Sequence, residues 1–156
     1  MFVVKDNTHV MAPLERCFLL STSLKLVERG LGMRPVRGEG LRAEGLVVGG
    51  DRVRWQGWKF GMPQYHVSLI SEFEPPRYFQ DRMIAGRFRT FQHDHEFTEI
   101  GGQVLMKDTV RFSLPLGFAG RLVGKNILVP HIRALIRQRF LLLKQVAESD
   151  EWSKYL

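Results

Sequence analysis

The sequence predicts a single α+β domain over residues 1–156, an antiparallel meander of strands packed against a long carboxy-terminal helix. Three observations lead there. Residues 52–114 alternate in polarity with period two and are punctuated by Gly61, Pro75-Pro76, Gly86 and Gly101-Gly102, as short-looped consecutive strands are. Residues 116–149 carry an apolar stripe of helical period. The third is scale: 156 residues, 44% hydrophobic and 25% charged, suffice for one core. A core of this size buries roughly 70% of the surface of the unfolded chain without needing disulfides or metal.

The elements follow in order. Residues 1–12 alternate in polarity and read as a strand, since Lys5 and Asp6 interrupt any signal-like apolar run. Ala12-Pro13 opens a helical pattern, with Pro13 suited to a first turn where its missing N–H costs nothing. Ser21-Thr22-Ser23 breaks that pattern, and a hydroxyl there can cap a second short helix over 24–29. Seven glycines in 30–50 then predict loops, with Gly49-Gly50-Asp51 as a tight turn. Strands follow at 52–60, 64–74, 77–85, 87–99 and 103–114, and neighbours this close must be antiparallel. Gly57 is a candidate bulge that would turn Trp58 inward. In the terminal helix Pro130 either kinks the run or starts its main segment.

Charge and cysteine usage exclude several classes. Lysine and arginine exceed aspartate and glutamate by 23 − 16 = +7, but the acids are interspersed, so no nucleic-acid partner is expected. Cys17 stands alone and no Cys/His zinc spacing exists, which points to a reducing cytoplasm. No stretch approaches the ~20 apolar residues of a membrane helix. Arg121, Lys125, Arg133, Arg137, Arg139 and Lys144 fall in 116–147 without one acid, so peripheral contact with an anionic surface stays open. The sequence leaves oligomeric state undetermined.

Side-chain parity identifies candidate site residues, because alternate residues of a strand share a face. In 87–99 the odd set Phe91, His93, His95 and Phe97 faces inward. In 103–114 Asp108 is the misfit among Val104, Met106, Val110, Phe112 and Leu114. In 77–85 Asp81 shares a face with Phe79 and Met83. On the terminal helix Ile132, Leu135, Ile136, Leu143 and Val146 form a stripe that contains Arg139, whereas Arg133, Arg137 and Lys144 lie on another face. A guanidinium keeps its charge, so an inward Arg139 needs an anion. Three readings remain for this cluster: a structural ion-pair network, a polar anchor for a ligand, or a metal site. A His-x-His pair with inward carboxylates offers suitable donor types, but the metal reading is the least favoured, and no metal or cofactor is expected, because no further histidine has an evident place beside the pair.

The same residues carry a resemblance. Phe60-Gly61, the run from Ile70 through Glu74-Pro75-Pro76 to Asp81, Gly86-Arg87-Phe88, and His93-Asp94-His95-Glu96-Phe97 occur in series. Gly101-Gly102, Met106-Lys107-Asp108, Pro115-Leu116-Gly117 and Arg139 complete it. From Met33 to Glu148 the chain resembles the bacterial ligand-binding SRPBCC proteins of the START-like, helix-grip superfamily, which also holds polyketide cyclases and the birch-pollen allergen. The resemblance implies a curved seven-stranded antiparallel sheet around the terminal helix, so one more strand is expected near 40–48. It also implies binding of a small hydrophobic or amphipathic molecule, such as a lipid, polyketide-like or isoprenoid compound, in a cavity between sheet and helix.

The residues expected to line that cavity are Trp55, Phe79, Phe91, Phe97, Phe112, Leu135 and Phe140, with Asp81, His93, His95, Asp108 and Arg139 as polar anchors. The alternative is an enzyme of cyclase, dehydratase or hydrolase type, in which Asp81 or Asp108 and His93 or His95 supply acid and base. No nucleophile motif accompanies them.

Overall fold

The computed structural model describes residues 1–156. β1 (Phe2–Val10) leads into α1 (Leu14–Thr22) and α2 (Leu24–Leu31), then β2 (Arg34–Pro35). A meander follows: β3 (Arg52–Lys59), β4 (Met62–Glu74), β5 (Tyr78–Gly86), β6 (Thr90–Ile100) and β7 (Gln103–Ser113). The chain closes with α3 (Gly117–Val123), a π-helical turn (Gly124–Leu128), α4 (Val129–Ala147) and a 3-10 turn (Asp150–Lys154). The seven strands form one antiparallel sheet ordered β1-β7-β6-β5-β4-β3-β2. The first strand thus closes the far side of the meander by pairing with the last.

Local chemistry explains the element ends. Gly32 terminates α2 with φ 68°, the left-handed conformation in which a residue without Cβ is unstrained. Ser23 occupies the N-terminal cap of α2, but its hydroxyl donates to the Tyr155 carbonyl at 3.1 Å, so it ties the chain end down and caps no helix N–H. Pro130 starts α4 without kinking it. The π turn before it sends the Val129 N–H five residues back, to the Gly124 carbonyl.

Two expectations are corrected. The additional strand lies at Arg34–Pro35 and not near 40–48, where the chain forms turns and isolated bridges. Pro35, which has no N–H, sits at the sheet edge opposite Trp55, and the Val36 N–H beside it donates to the Arg54 carbonyl at 2.8 Å. Gly57 makes no bulge: β3 and β4 pair in unbroken register from Arg52 to Lys59, and Trp58 points outward at 66% exposure. The glycine serves instead a close approach, since a Cβ there would lie 2.9 Å from the Met33 side chain. The register irregularities fall in β4, between Val67 and Ser68 and between Ile70 and Glu72, where they help the sheet to curl.

Two apolar clusters fill the concave side. The larger joins β1, α1, the inward residues of β5 to β7 and the stripe Ile132, Ile136, Phe140, Leu143 and Val146 of α4. Its densest part is aromatic: Phe18 of α1 meets Phe73, Phe79 and Phe97 at centroid distances of 5.4–5.7 Å. The smaller cluster packs Leu24, Met33 and Val47 against Val53, Trp55 and Ile70.

Candidate functional site

Cross-strand register assembles the central charged cluster. Asp81 on β5 pairs directly with His93 on β6, and His95 pairs directly with Asp108 on β7. Opposed residues carry their side chains on one face with Cβ atoms about 5 Å apart. One residue, Asp94, separates the histidines along β6, so both rings stand on the concave face, 3.8 Å between centroids. α4 supplies Arg139 from above, whose Nη1 donates to Asp108 Oδ2 at 2.7 Å.

His95 sits between two carboxylates, Nδ1 3.1 Å from Asp108 Oδ1 and Nε2 3.1 Å from Asp81 Oδ2. It stacks on Phe79 with centroids 4.2 Å apart. His93 is less well served. Its Nε2 lies 3.1 Å from Asp108 Oδ2 but out of line for a hydrogen bond and has no partner, and its Nδ1 is 3.9 Å from Asp81 Oδ2. Arg139 Nη2 is likewise buried without an acceptor. Side-chain exposure falls from Asp81 (21%) and His93 (14%) to His95 (5%) and Asp108 (2%), so access comes from the Asp81 side.

Burial alone would raise the Asp108 carboxyl, but Arg139 and the two imidazoles outweigh it and hold it well below the usual carboxylate range. Asp81 is also lowered: burial opposes ionisation, and the hydrogen bond and charge of His95 together with His93 overcome it. The histidines separate. Burial, reinforced by the neighbouring imidazole, lowers His93. His95 loses to burial but gains more from Asp108 and Asp81, and is raised. The environment therefore favours the neutral form of His93 and the charged form of His95.

The other sequence-derived candidates divide. Phe79, Phe97, Phe112 and Phe140 are buried in the main cluster. Phe91 is half-buried, edge-on to His66 at 5.2 Å and tilted against Phe88. Leu135 is half-buried on α4. Trp55 is buried in the smaller cluster, with Leu24 and Met33, and is not brought to the charged group. Arg139 does not belong to the outer basic face, and Arg137 and Lys144 there pair with Asp6 at 3.2 Å and Glu148 at 2.9 Å. No helix is long and apolar enough to cross a membrane.

Sequence reasoning missed two features. His66, aligned with Ser68 and Ile70 by parity, joins the open end of the concave face and is lowered by burial. Asp94, an outward residue, is buried under a second network in which Tyr78, Gln80 and Gln92 donate to its carboxylate and Arg111 pairs with it. The alternation of Gln80, Gln92 and Asp94 on outward positions was the available signal.

Two clefts lie away from this cluster. One of 640 Å³ is lined by residues 40–44 and 50–52, and one of 520 Å³ by outward residues of α4 between 130 and 141. Both are open to solvent. The concave face instead grades from fully buried to partly exposed. Its β5–β7 end at Phe79 and Phe97 is packed, and its other end, at His66, Phe88, Phe91, Leu114 and Leu128, is partly exposed.

No protein-family model and no curated protein sequence matches the chain. Solved structures do. TTHA0849 from Thermus thermophilus is 18% identical with a TM-score of 0.69, over 95% of this chain and 100% of that one. Ginseng major latex-like protein 151 from Panax ginseng is 10% identical with a TM-score of 0.68, over 95% and 98%. CalU16 from Micromonospora echinospora is 11% identical with a TM-score of 0.62, over 98% and 85%. With its seven-stranded curved sheet, its two short helices after the first strand and its long terminal helix, the chain has the helix-grip fold of these solved structures.

Proposed function

We propose that this single domain binds a small hydrophobic or amphipathic molecule at the partly exposed end of the concave face. The apolar part of the ligand rests on Phe88, Phe91, Leu114 and Leu128, and its polar end meets Asp81, His93 and Arg139. The observation that carries this reading is a pair of buried, unpartnered nitrogens, Arg139 Nη2 and His93 Nε2, beside a partly exposed aromatic wall. A network kept for stability alone gains little from charge, since well-packed apolar residues often serve as well or better. Unspent donors in such a network suit a ligand that brings its own acceptor, such as a carbonyl, hydroxyl or carboxylate.

Helix-grip neighbours support a hydrophobic-ligand fold, and the SRPBCC resemblance supports a bacterial source. A reducing cytoplasm accords with Cys17, a lone buried thiol that burial pushes up to about 11.

Native mass spectrometry after mild purification, followed by displacement of an environment-sensitive dye with decanoate and dodecanol, tests the reading. The expected result is a bound small molecule or saturable displacement, weakened by Phe91→Asp. A bare polypeptide mass together with no saturable displacement overturns it.

One observation favours a second reading. Burial lowers His93, whereas Asp108 and Asp81 raise its neighbour His95, a separation of the kind that suits an acid–base pair. Turnover of a bound polyketide-like or isoprenoid compound, abolished by His93→Gln at unchanged melting temperature, selects that reading.

A further inference from the structure

The geometry points to a binding site for one divalent first-row transition-metal ion, zinc(II) or iron(II) in type, formed by Asp81, His93 and His95. This goes beyond the binding of an apolar molecule and stands or falls separately from it.

One donor atom from each of the three residues lies within 4.8 Å of the other two. Metal–ligand bonds of about 2.0–2.2 Å place donors roughly 3.0–3.5 Å apart, so His95 Nε2 and Asp81 Oδ2, at 3.1 Å, already stand at coordinating separation. His93 Nδ1, at 3.9 Å from the same oxygen, is slightly wide of it. The third donor is a carboxylate and not a further histidine: Asp81, distant in the chain from the His-x-His pair, is paired with His93 across the sheet.

The backing of the site is what separates it from an ordinary ion-pair cluster. Each imidazole turns one nitrogen toward Asp81 and the other toward Asp108. His95 Nδ1 is 3.1 Å from Asp108 Oδ1, and His93 Nε2 is 3.1 Å from Asp108 Oδ2. A metal-bound imidazole characteristically directs its remote N–H at a carboxylate, which fixes the ring and makes it a better donor. Here one carboxylate backs both rings, and Arg139 holds that carboxylate in place at 2.7 Å. Without a cation between the rings and Asp81, His93 makes no hydrogen bond at Nε2 and reaches no acceptor at Nδ1. A small rotation of this ring brings Nδ1 to a shared ion and Nε2 into line with Asp108.

The donor set defines the ion. Two imidazoles and one carboxylate are too nitrogen-rich for magnesium or calcium and contain no thiolate for copper(I). Three protein ligands leave coordination positions open on the side where Asp81 and His93 are exposed, toward Phe91 and His66.

Isothermal titration of the EDTA-treated full chain with Zn²⁺ tests the proposal. One site per chain is expected, weakened about 100-fold or more by Asp81→Asn and by His93→Ala, and about 10-fold by Asp108→Asn. Asp94→Asn, on the opposite face of the sheet, leaves the affinity unchanged. Because substitutions in a buried cluster can prevent folding, the unaltered chain supplies a second readout, the ring nitrogen-15 resonances of its five histidines during the same titration. Coordination shifts one nitrogen of His93 and one of His95. No saturable heat, or shifts confined to His9, His66 or His131, overturns the proposal. A failed metal titration with successful dye displacement leaves the apolar-ligand reading in force, and the reverse result leaves the metal site.

Discussion

Phe18, at the α1 end of the interior, is 1% exposed and meets three other phenylalanines. Phe91, roughly 20 Å away along the same face of β6 from Phe97, is half-buried. It meets a histidine edge and one tilted ring. One end is interlocked like a crystal, and the other keeps aromatic surface only partly covered. The charged cluster stands at the border between them. The contrast teaches where apolar surface remains to be covered: burial is complete at one end, and at the other the proposed ligand would gain by covering partly exposed rings.

Substitutions at the two ends sharpen this comparison, from the largest effect to the smallest. Phe18→Ala should cost about 3–5 kcal/mol in chemical denaturation, the usual penalty for removing a fully enclosed ring. A cost below that of Phe91→Ala would erase the distinction between the ends. Asp108→Asn should cost about 2–3 kcal/mol, because it strips Arg139 and His95 of their shared anion. The penalty is moderated by the partial exposure of Arg139. Phe91→Ala should cost only about 1 kcal/mol, since the ring is half in solvent, yet it should weaken apolar-ligand binding more than Phe18→Ala weakens it per unit of lost stability.

The smallest effect lies on the convex face. Burial opposes ionisation of Asp94, but hydrogen bonds from Gln80, Tyr78 and Gln92 and the charge of Arg111 lower its carboxyl. A lowered carboxyl contributes stability above its unfolded value, near 3.9, and that contribution is lost as pH falls through the folded value. Asp94→Asn should therefore cost about 1 kcal/mol at neutral pH and nothing at the acid limit. Urea midpoints between pH 2 and 7 check this; an unchanged slope below pH 4 would show the network to be idle.

Where period-two alternation is strict, the fold was legible. Parity alone put His93, His95 and Asp108 on the concave face, and helical periodicity turned Arg139 toward them. Parity reports the face of a strand and nothing about position across a curved sheet, so Trp55 was expected with Phe91 but packs with Leu24 and Met33. The short β2 left no trace because two residues, one of them proline, display no period. The burial of Asp94 escaped because an outward position implies solvent unless neighbouring long side chains cover it, as Tyr78, Gln80 and Arg111 do. Asp81 could be placed inward from sequence. That it stands opposite His93 depends on the β5–β6 register, which is set by the connection between Gly86 and Thr90 and which face parity does not report.

The π turn before α4 has a consequence of a different kind. Its extra residue works as a phase shifter: α3 and α4 belong to one continuous rod but are rotated about 100° out of step with each other. Deleting Asn126 would restore the regular winding and swing Phe118 and Leu122 to a new azimuth while α4 keeps its grip on the sheet. The length of this stretch, counted to the single residue, thus decides which side chains the rod shows beyond the sheet, and one lost codon would change that whole aspect without altering any side chain in it.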